Sequence, residues 1–201
     1  MKSLNCFFTS FILLCSIHSL AQTTAYDICP IKNSEELPEA VVYTINGKET
    51  NLKDYIDDKP AVIVFYRGGW CGYCMRHLSE LQDIRPEIES MGYELIAIAP
   101  DDFSNLEESI SESELDYTLF SDKKVNAIKA FGIGWTVSEE TFEKYKDKYN
   151  IDLEWWSGEA HHILPVPAVF VIEEGKIKYQ HTDPDYSRRL SGEVLLSFLK
   201  N

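Results

Sequence analysis

The order of apolar segments in this 201-residue chain predicts an α/β fold: a central mixed β-sheet flanked by helices on both faces, with a helical insertion before a C-terminal β-hairpin. Three observations carry the prediction. Short apolar runs, Ala61–Tyr66 and Leu95–Ala99, alternate with longer stretches of helical periodicity, as in sheets buried on both sides. A late strand, Ala168 to Ile172, turns at Glu173-Glu174-Gly175 into an antiparallel partner, Lys176 to Gln180, before a closing helix. Between the first buried run and the helix after it sits Trp70-Cys71-Gly72-Tyr73-Cys74, and a CxxC in that strand–turn–helix context is a thioredoxin-like redox site.

The elements follow in order. Lys2, the apolar stretch Phe7 to Ile17 and the small residues of Ser19-Leu20-Ala21 make residues 1–21 a signal peptide, with Gln22 as the mature start. The stretch is too short and interrupted for a membrane span. Residues 22–40, punctuated by Pro30 and Pro38, are an extended lead-in, and 41–201 form one thioredoxin-like domain. Val41 to Ile45 is a strand closed by the Asn46-Gly47 turn, and Asn51 to Asp57 a short helix. Met75 to Met91 is a helix with Leu78, Leu81, Ile84 and Ile88 on one face, kinked at Pro86, which lacks an N–H. Asn105 to Ser113 is an acidic surface helix, Tyr117 to Phe120 a strand, and Lys123 to Phe131 a helix stopped by Gly132. Residues 134–164 are the insertion, with a helix from Glu139 to Lys148, and Glu193 to Lys200 is the closing helix.

Composition narrows the function. The chain carries 33 acidic against 19 basic residues, a net charge of −14, and loss of Lys2 with the leader makes it more negative. Such a surface argues against nucleic-acid partners and against docking on anionic membranes. The remaining chain of about 180 residues suits one domain that buries roughly 70% of its unfolded surface. Export to the periplasm or the exterior implies an oxidising compartment. Cys6 and Cys15 leave with the leader, so Cys29, Cys71 and Cys74 remain, too few for a disulfide scaffold.

The pair is therefore a working couple. A helix N-terminus favours the thiolate of a cysteine placed on it. A static bridge closing so small a loop adds little stability, and zinc needs two further ligands where no second CxxC exists. Neither a cofactor nor a metal is expected.

Phe65-Tyr66-Arg67-Gly68-Gly69-Trp70-Cys71-Gly72-Tyr73-Cys74 resembles the signature of the peroxiredoxin-like proteins of the alkyl hydroperoxide reductase and thiol-specific antioxidant superfamily. Leu164-Pro165-Val166-Pro167-Ala168 and Asp183-Pro184-Asp185-Tyr186-Ser187-Arg188-Arg189 resemble later segments of the same family. The resemblance implies a thioredoxin fold, thiol-dependent reduction of a hydroperoxide, and recycling by an external dithiol such as a thioredoxin-like protein. It marks Tyr66, Gly68, Trp70, Val166 and Pro167 as substrate-adjacent, and implies a cis peptide before Pro167.

Two registers stand open. The peroxiredoxin register makes Cys74 the peroxide-reactive residue, with Cys71 in place of the family's threonine and Arg67 in place of its proline. The thioredoxin register makes Cys71 the nucleophile and Cys74 its resolving partner, with Val64 where a buried aspartate is usual. Arg67 is positioned to stabilise a thiolate, and His77, one turn after Cys74, to accept a thiol proton. Competing functions are a protein thiol–disulfide oxidoreductase using the backbone near Val166, and a copper-binding assembly factor adding His161, His162 or His181 to the thiolates. Simpler readings attach to the remaining features. Trp155-Trp156 is core packing, His161-His162 an unliganded loop pair, and Cys29 a small apolar filler; Arg188 and Arg189 either reach the site or pair with nearby carboxylates.

Overall fold

The computed structural model describes residues 24–113 and 115–200, so the leader read at 1–21 lies outside the described residues. Residues 24–40 run as a strap over one face of the sheet. Cys29 and Ile31 give their N–H groups to the carbonyls of Gly132 and Phe131, Ser34 and Leu37 give theirs to Ile177 and Gly175, and Leu37 and Ala40 enter the core. Gly132 has a positive φ of 68°, and a Cβ there would lie 2.0 Å from the Cys29 carbonyl oxygen, so only glycine lets the strap dock.

Strands β1 (Val41–Thr44) and β2 (Glu49–Asn51) form a hairpin. Helix α1 (Leu52–Ile56) follows, its first N–H groups capped by the Asn51 side chain. Next come β3 (Ala61–Phe65), α2 (Gly72–Ser90), β4 (Glu94–Ala99), α3 (Phe103–Ser113), β5 (Thr118–Ser121) and α4 (Asn126–Ala130). The insertion comprises β6 (Gly134–Thr136), α5 (Glu139–Tyr149), α6 (Leu153–Ser157) and β7 (Ile163–Pro165). The chain closes with β8 (Ala168–Glu173), β9 (Lys176–Thr182) and α7 (Gly192–Leu199).

The main sheet has the order β2-β1-β5-β4-β3-β8-β9, parallel across β3, β4 and β5 and antiparallel elsewhere. Strand alternation splits the core into two layers. Ala61, Ile63 and Phe65 of β3 meet Ile96, Phe170, α1 and α4 on one face. Val62 and Val64 meet Leu95, Val169, α2 and α7 on the other. The mixed sheet covered on both faces is thus as the sequence predicts. The three-residue strands β2, β6 and β7 and the five-residue α6 went unread because such pieces are too short to display a period.

Three expectations change. Helix α2 begins at Gly72, three residues before the expected start at Met75, so that the cysteine pair spans its first turn; it runs to Ser90 with Pro86 inside it, as expected. All described peptide bonds are trans, including the one before Pro167, which corrects the cis geometry that the resemblance implied. There the chain passes directly from β7 into β8, with the Val166 N–H held by the Ile133 carbonyl at 3.0 Å. Cys29 is exposed rather than an apolar filler, and its strap lies on the opposite face of the sheet from the cysteine pair.

Candidate redox site

Cys71 and Cys74 are joined as a disulfide across the first turn of α2, with Cα atoms 5.2 Å apart. Cys71 is the N-cap residue in extended conformation, and its carbonyl accepts the N–H groups of Cys74 and Met75. Both sulfurs therefore sit at the positive end of a 19-residue helix, where a thiolate is stabilised by the unpaired amides and the helix dipole. The bridge is well covered, with Cys71 4% and Cys74 1% exposed.

The two sulfurs differ in what they face. Cys71 forms part of the wall of a cleft of about 350 Å³, together with Arg67, Trp70, Tyr73, Tyr145 and Tyr186. Cys74 lies behind it, and Arg189 directs Nη2 at its sulfur from 3.3 Å. Burial, and secondarily the charge of Arg67, draws the Arg189 guanidinium down to about 10, so it stays cationic at neutral pH.

Arg67 is 4% exposed. Its guanidinium lies over the rings of Trp70 at 4.7 Å and Tyr186 at 4.5 Å, and donates to the Tyr145 hydroxyl at 2.5 Å. Burial lowers its affinity for the proton, and Tyr145 partly restores it.

His77 faces the other way. It is buried, and its Nε2–H donates to the Leu190 carbonyl at 2.9 Å, which fixes the tautomer. Burial first, opposed by the Leu190 carbonyl and reinforced by Arg189, pushes its pKa down to about 4. The imidazole is therefore neutral and ties α2 to the C-terminal arm before α7.

The loop between β3 and the cysteines rests on a group that the sequence reading passed over. Asp101, fully buried at the end of β4, accepts the Gly69 N–H at 2.7 Å, and burial raises its pKa to about 7. Gly68 takes a φ of 142°, and a Cβ there would sit 2.4 Å from Trp70 Nε1 and 2.6 Å from Asp101 Oδ1. Asp101 had one legible signal. It is a carboxylate two residues after a buried parallel strand, and the carboxyl ends of such strands are where α/β sheets place their chemistry. Tyr145 had none, since only folding brings it to a residue 78 positions earlier.

Of the residues marked by sequence, Arg67, Trp70 and Cys71 meet at the cleft, and Gly68 shapes the loop beneath it. Tyr66, Val166 and Pro167 are buried away from it, the Tyr66 hydroxyl having no hydrogen-bond partner among the described residues. Trp155 is 58% exposed and Trp156 half-buried, so this pair is not core, contrary to expectation; α6 turns Trp155 outward while Leu153 fills the small core of the insertion. His161 bonds the Lys123 carbonyl, and His162 stacks on Phe142 and pairs with Glu154. Among the described residues no group of three or more His, Cys, Asp and Glu side chains is placed to hold a metal ion, and no helix is long and apolar enough to cross a membrane.

A disulfide on a helix N-terminus at the carboxyl end of a parallel strand, beside a lined cleft, defines a thiol–disulfide redox protein of the thioredoxin-like class. The particular family is shown by residues 34–180, which match the AhpC/TSA family model, and the chain belongs to that family. Among curated relatives it is similar to the thiol-disulfide oxidoreductase ResA of Bacillus thuringiensis, 26% identical over 100 residues that cover 49% of this chain and 57% of the relative. It is also similar to a putative peroxiredoxin, bcp, of Haemophilus influenzae, 26% identical over 52% of this chain and 66% of the relative. The chain thus spans little more than half the length of the first of these relatives. In fold it matches reduced Prx3 from Vibrio vulnificus with a TM-score of 0.70 at 12% identity, over 85% of this chain and 99% of that one.

Proposed function

We propose that the protein is an exported thiol-dependent oxidoreductase that reduces a hydroperoxide with the Cys71–Cys74 pair and is recycled by an external dithiol, a thioredoxin-like protein. The observation that carries this reading is the asymmetry of the pair: Cys71 reaches the cleft, while Cys74 lies behind it against Arg189. This favours the register in which Cys71 attacks and Cys74 resolves.

In the reduced pair the Cys71 thiolate attacks the terminal peroxide oxygen. The O–O bond breaks, the sulfur becomes a sulfenic acid, and the alcohol leaves with a proton taken from water in the cleft. The Cys74 thiolate, held beside Arg189, attacks the Cys71 sulfur and expels hydroxide, which leaves as water and closes the bridge. The external dithiol then opens the disulfide by two exchange steps and is itself oxidised. Arg67, Asp101 and His77 are positioning residues in this scheme. Arg67 supplies positive potential at the cleft wall, Asp101 holds the loop through Gly69, and His77 holds the arm that carries Arg189.

The similarity to ResA favours a second reading, exchange with a protein disulfide. Against it stands the Val166 N–H, which a substrate strand would need and which is bonded to Ile133. Stopped-flow tryptophan fluorescence of the reduced protein, with mass spectrometry of the products, separates the two. One equivalent of hydroperoxide consumed per pair, far faster than by free cysteine, supports peroxide reduction. A rate equal to that of free cysteine, with protein adducts trapped on Cys74→Ser, overturns it in favour of the second. Export rests on the leader at 1–21, and N-terminal sequencing of the extracytoplasmic protein is expected to begin at Gln22.

A further inference from the structure

The cleft beside Cys71 is much larger than a peroxide group requires. At about 350 Å³ it falls in the range of sites that hold whole organic ligands. Its walls are largely aromatic, with Trp70 and Tyr73 from the cysteine loop and helix, Tyr145 and Tyr149 from α5, and Tyr186 from the C-terminal arm.

Its charge runs against that of the whole molecule. The chain carries 33 acidic residues against 19 basic ones, yet the lining includes Arg67 and Lys144 and no Asp or Glu. Lys144 is exposed on α5 and has no carboxylate within 4.0 Å among the described residues, whereas its neighbour Lys146 is paired with Asp152 at 2.9 Å. Arg67 is nine-tenths buried and also without a carboxylate partner. One N–H goes to Tyr145, and Nε has no acceptor among the described residues. Arg189, by contrast, has Asp183 and Asp185 to offset its charge. A buried guanidinium with no carboxylate partner is strongly unfavourable, and an anion entering the cleft supplies the missing charge.

We propose that this cleft binds an organic anion: an apolar, part-aromatic body packs against Trp70, Tyr145 and Tyr149, and a carboxylate is met by Lys144 and Arg67. The anion preference stands on the cleft alone. Joined to the peroxide chemistry proposed above, on which this extension rests, it makes the oxidant a carboxylate-bearing organic hydroperoxide.

The test uses the full exported chain in its disulfide form, so that binding is read apart from turnover. Tryptophan fluorescence is titrated with 4-phenylbutyrate and with 4-phenylbutanol, which share a body and differ in charge. The carboxylate is expected to bind about tenfold more tightly at low salt, with the margin shrinking as salt is raised. Lys144→Gln, a surface change that leaves the core untouched, is expected to lose about fivefold for the acid and nothing for the alcohol. Lys59→Gln, at the opposite end of β3, is expected to change neither. Equal affinities for acid and alcohol, or no binding of either, overturn the proposal whatever the protein does with peroxides. Preferential binding of the acid with no hydroperoxide turnover sustains it and overturns the peroxidase reading instead.

Discussion

On its outer side the Cys71–Cys74 bridge faces a cleft walled by aromatic rings, a buried arginine and the insertion helix; on its inner side Cys74 and His77 meet Arg189 and Leu190 of the C-terminal arm, whose Tyr186 reaches round to the cleft. The outer side is held by Asp101, which supports the loop through Gly69. The inner side is held by His77, which anchors the arm through Leu190. One helix start therefore offers two sulfurs in two environments, one open to a ligand and one committed to a cation. The difference teaches that the helix dipole cannot by itself make the two sulfurs unlike, because both share it. The neighbours brought by the insertion and by the arm do so.

The sharpest way to break this comparison is to remove each sulfur in turn. Cys71→Ser is expected to lower hydroperoxide turnover by more than about a thousandfold, since no sulfur then faces the cleft. Cys74→Ser is expected to keep the first oxidation and lose the closure, so that Cys71 accumulates as a sulfenic acid trappable by a dimedone-type reagent. Mass spectrometry after one equivalent of peroxide reads both outcomes. A sulfenic acid on Cys74 in Cys71→Ser, formed at the native rate, reverses the roles.

How much of this was legible before folding differs between the two sides. The sheet was readable because Ala61–Tyr66 and Leu95–Ala99 are continuous apolar runs, and the cysteines because their spacing falls at a strand–helix junction. The outer side was readable only as far as the motif extends, through Arg67 and Trp70. Tyr145 and Lys144 belong to an insertion whose docking depends on a small core of Val137, Phe142, Leu153 and Leu164 against which Trp70 packs. That core involves contacts between distant positions, and no local period records them. The inner side was ambiguous for a related reason. Arg188 and Arg189 are adjacent and chemically alike, and only the turn around Asp185 sends Arg189 to the sulfur while Arg188 pairs with Asp185. Asp101 was overlooked because a carboxylate beside a second one, Asp102, looks like a solvated turn. In fact Asp102 takes the salt bridge to Lys123 and Asp101 goes inward.

The supports of the two sides have opposite pH signatures, which sharpens the comparison. His77 has a folded pKa of about 4 against an ordinary 6.5, so its contribution to stability is present above about pH 6.5 and lost as pH falls toward 4. Asp101 has a folded pKa of about 7 against an ordinary 3.8, so its native state holds the proton more tightly, and stability rises as pH falls from about 7 toward 4. Each effect spans roughly 3 to 4 kcal/mol, and in the intact protein they oppose each other. Urea unfolding of the oxidised protein at several pH values is expected to separate them. His77→Gln should gain stability relative to the parent as pH falls from 6.5 to 4. Asp101→Asn should gain relative to the parent as pH rises from 4 to 7. Parallel profiles for parent and variant, in either case, mean that the residue does not titrate between its two states as described.

The smallest expected effect isolates the inner cation. Arg189 stands 3.3 Å from the Cys74 sulfur, and a cation at that distance favours a thiolate over a thiol once the bridge is open. Arg189→Met keeps much of the side-chain volume and removes the charge. It is expected to slow bridge closure about tenfold near neutral pH, while leaving the first oxidation of Cys71 within about twofold. The same arm also hydrogen-bonds backbone carbonyls through Arg189, so a structural disturbance has to be told apart from a lost charge. The pH dependence of closure does that. A lost charge shifts the midpoint of the closure rate upward and leaves its plateau at high pH near that of the parent. A displaced arm lowers the plateau at every pH. If instead the first oxidation slows and closure does not, Arg189 serves the cleft side, and the division between the two faces of the bridge is wrong.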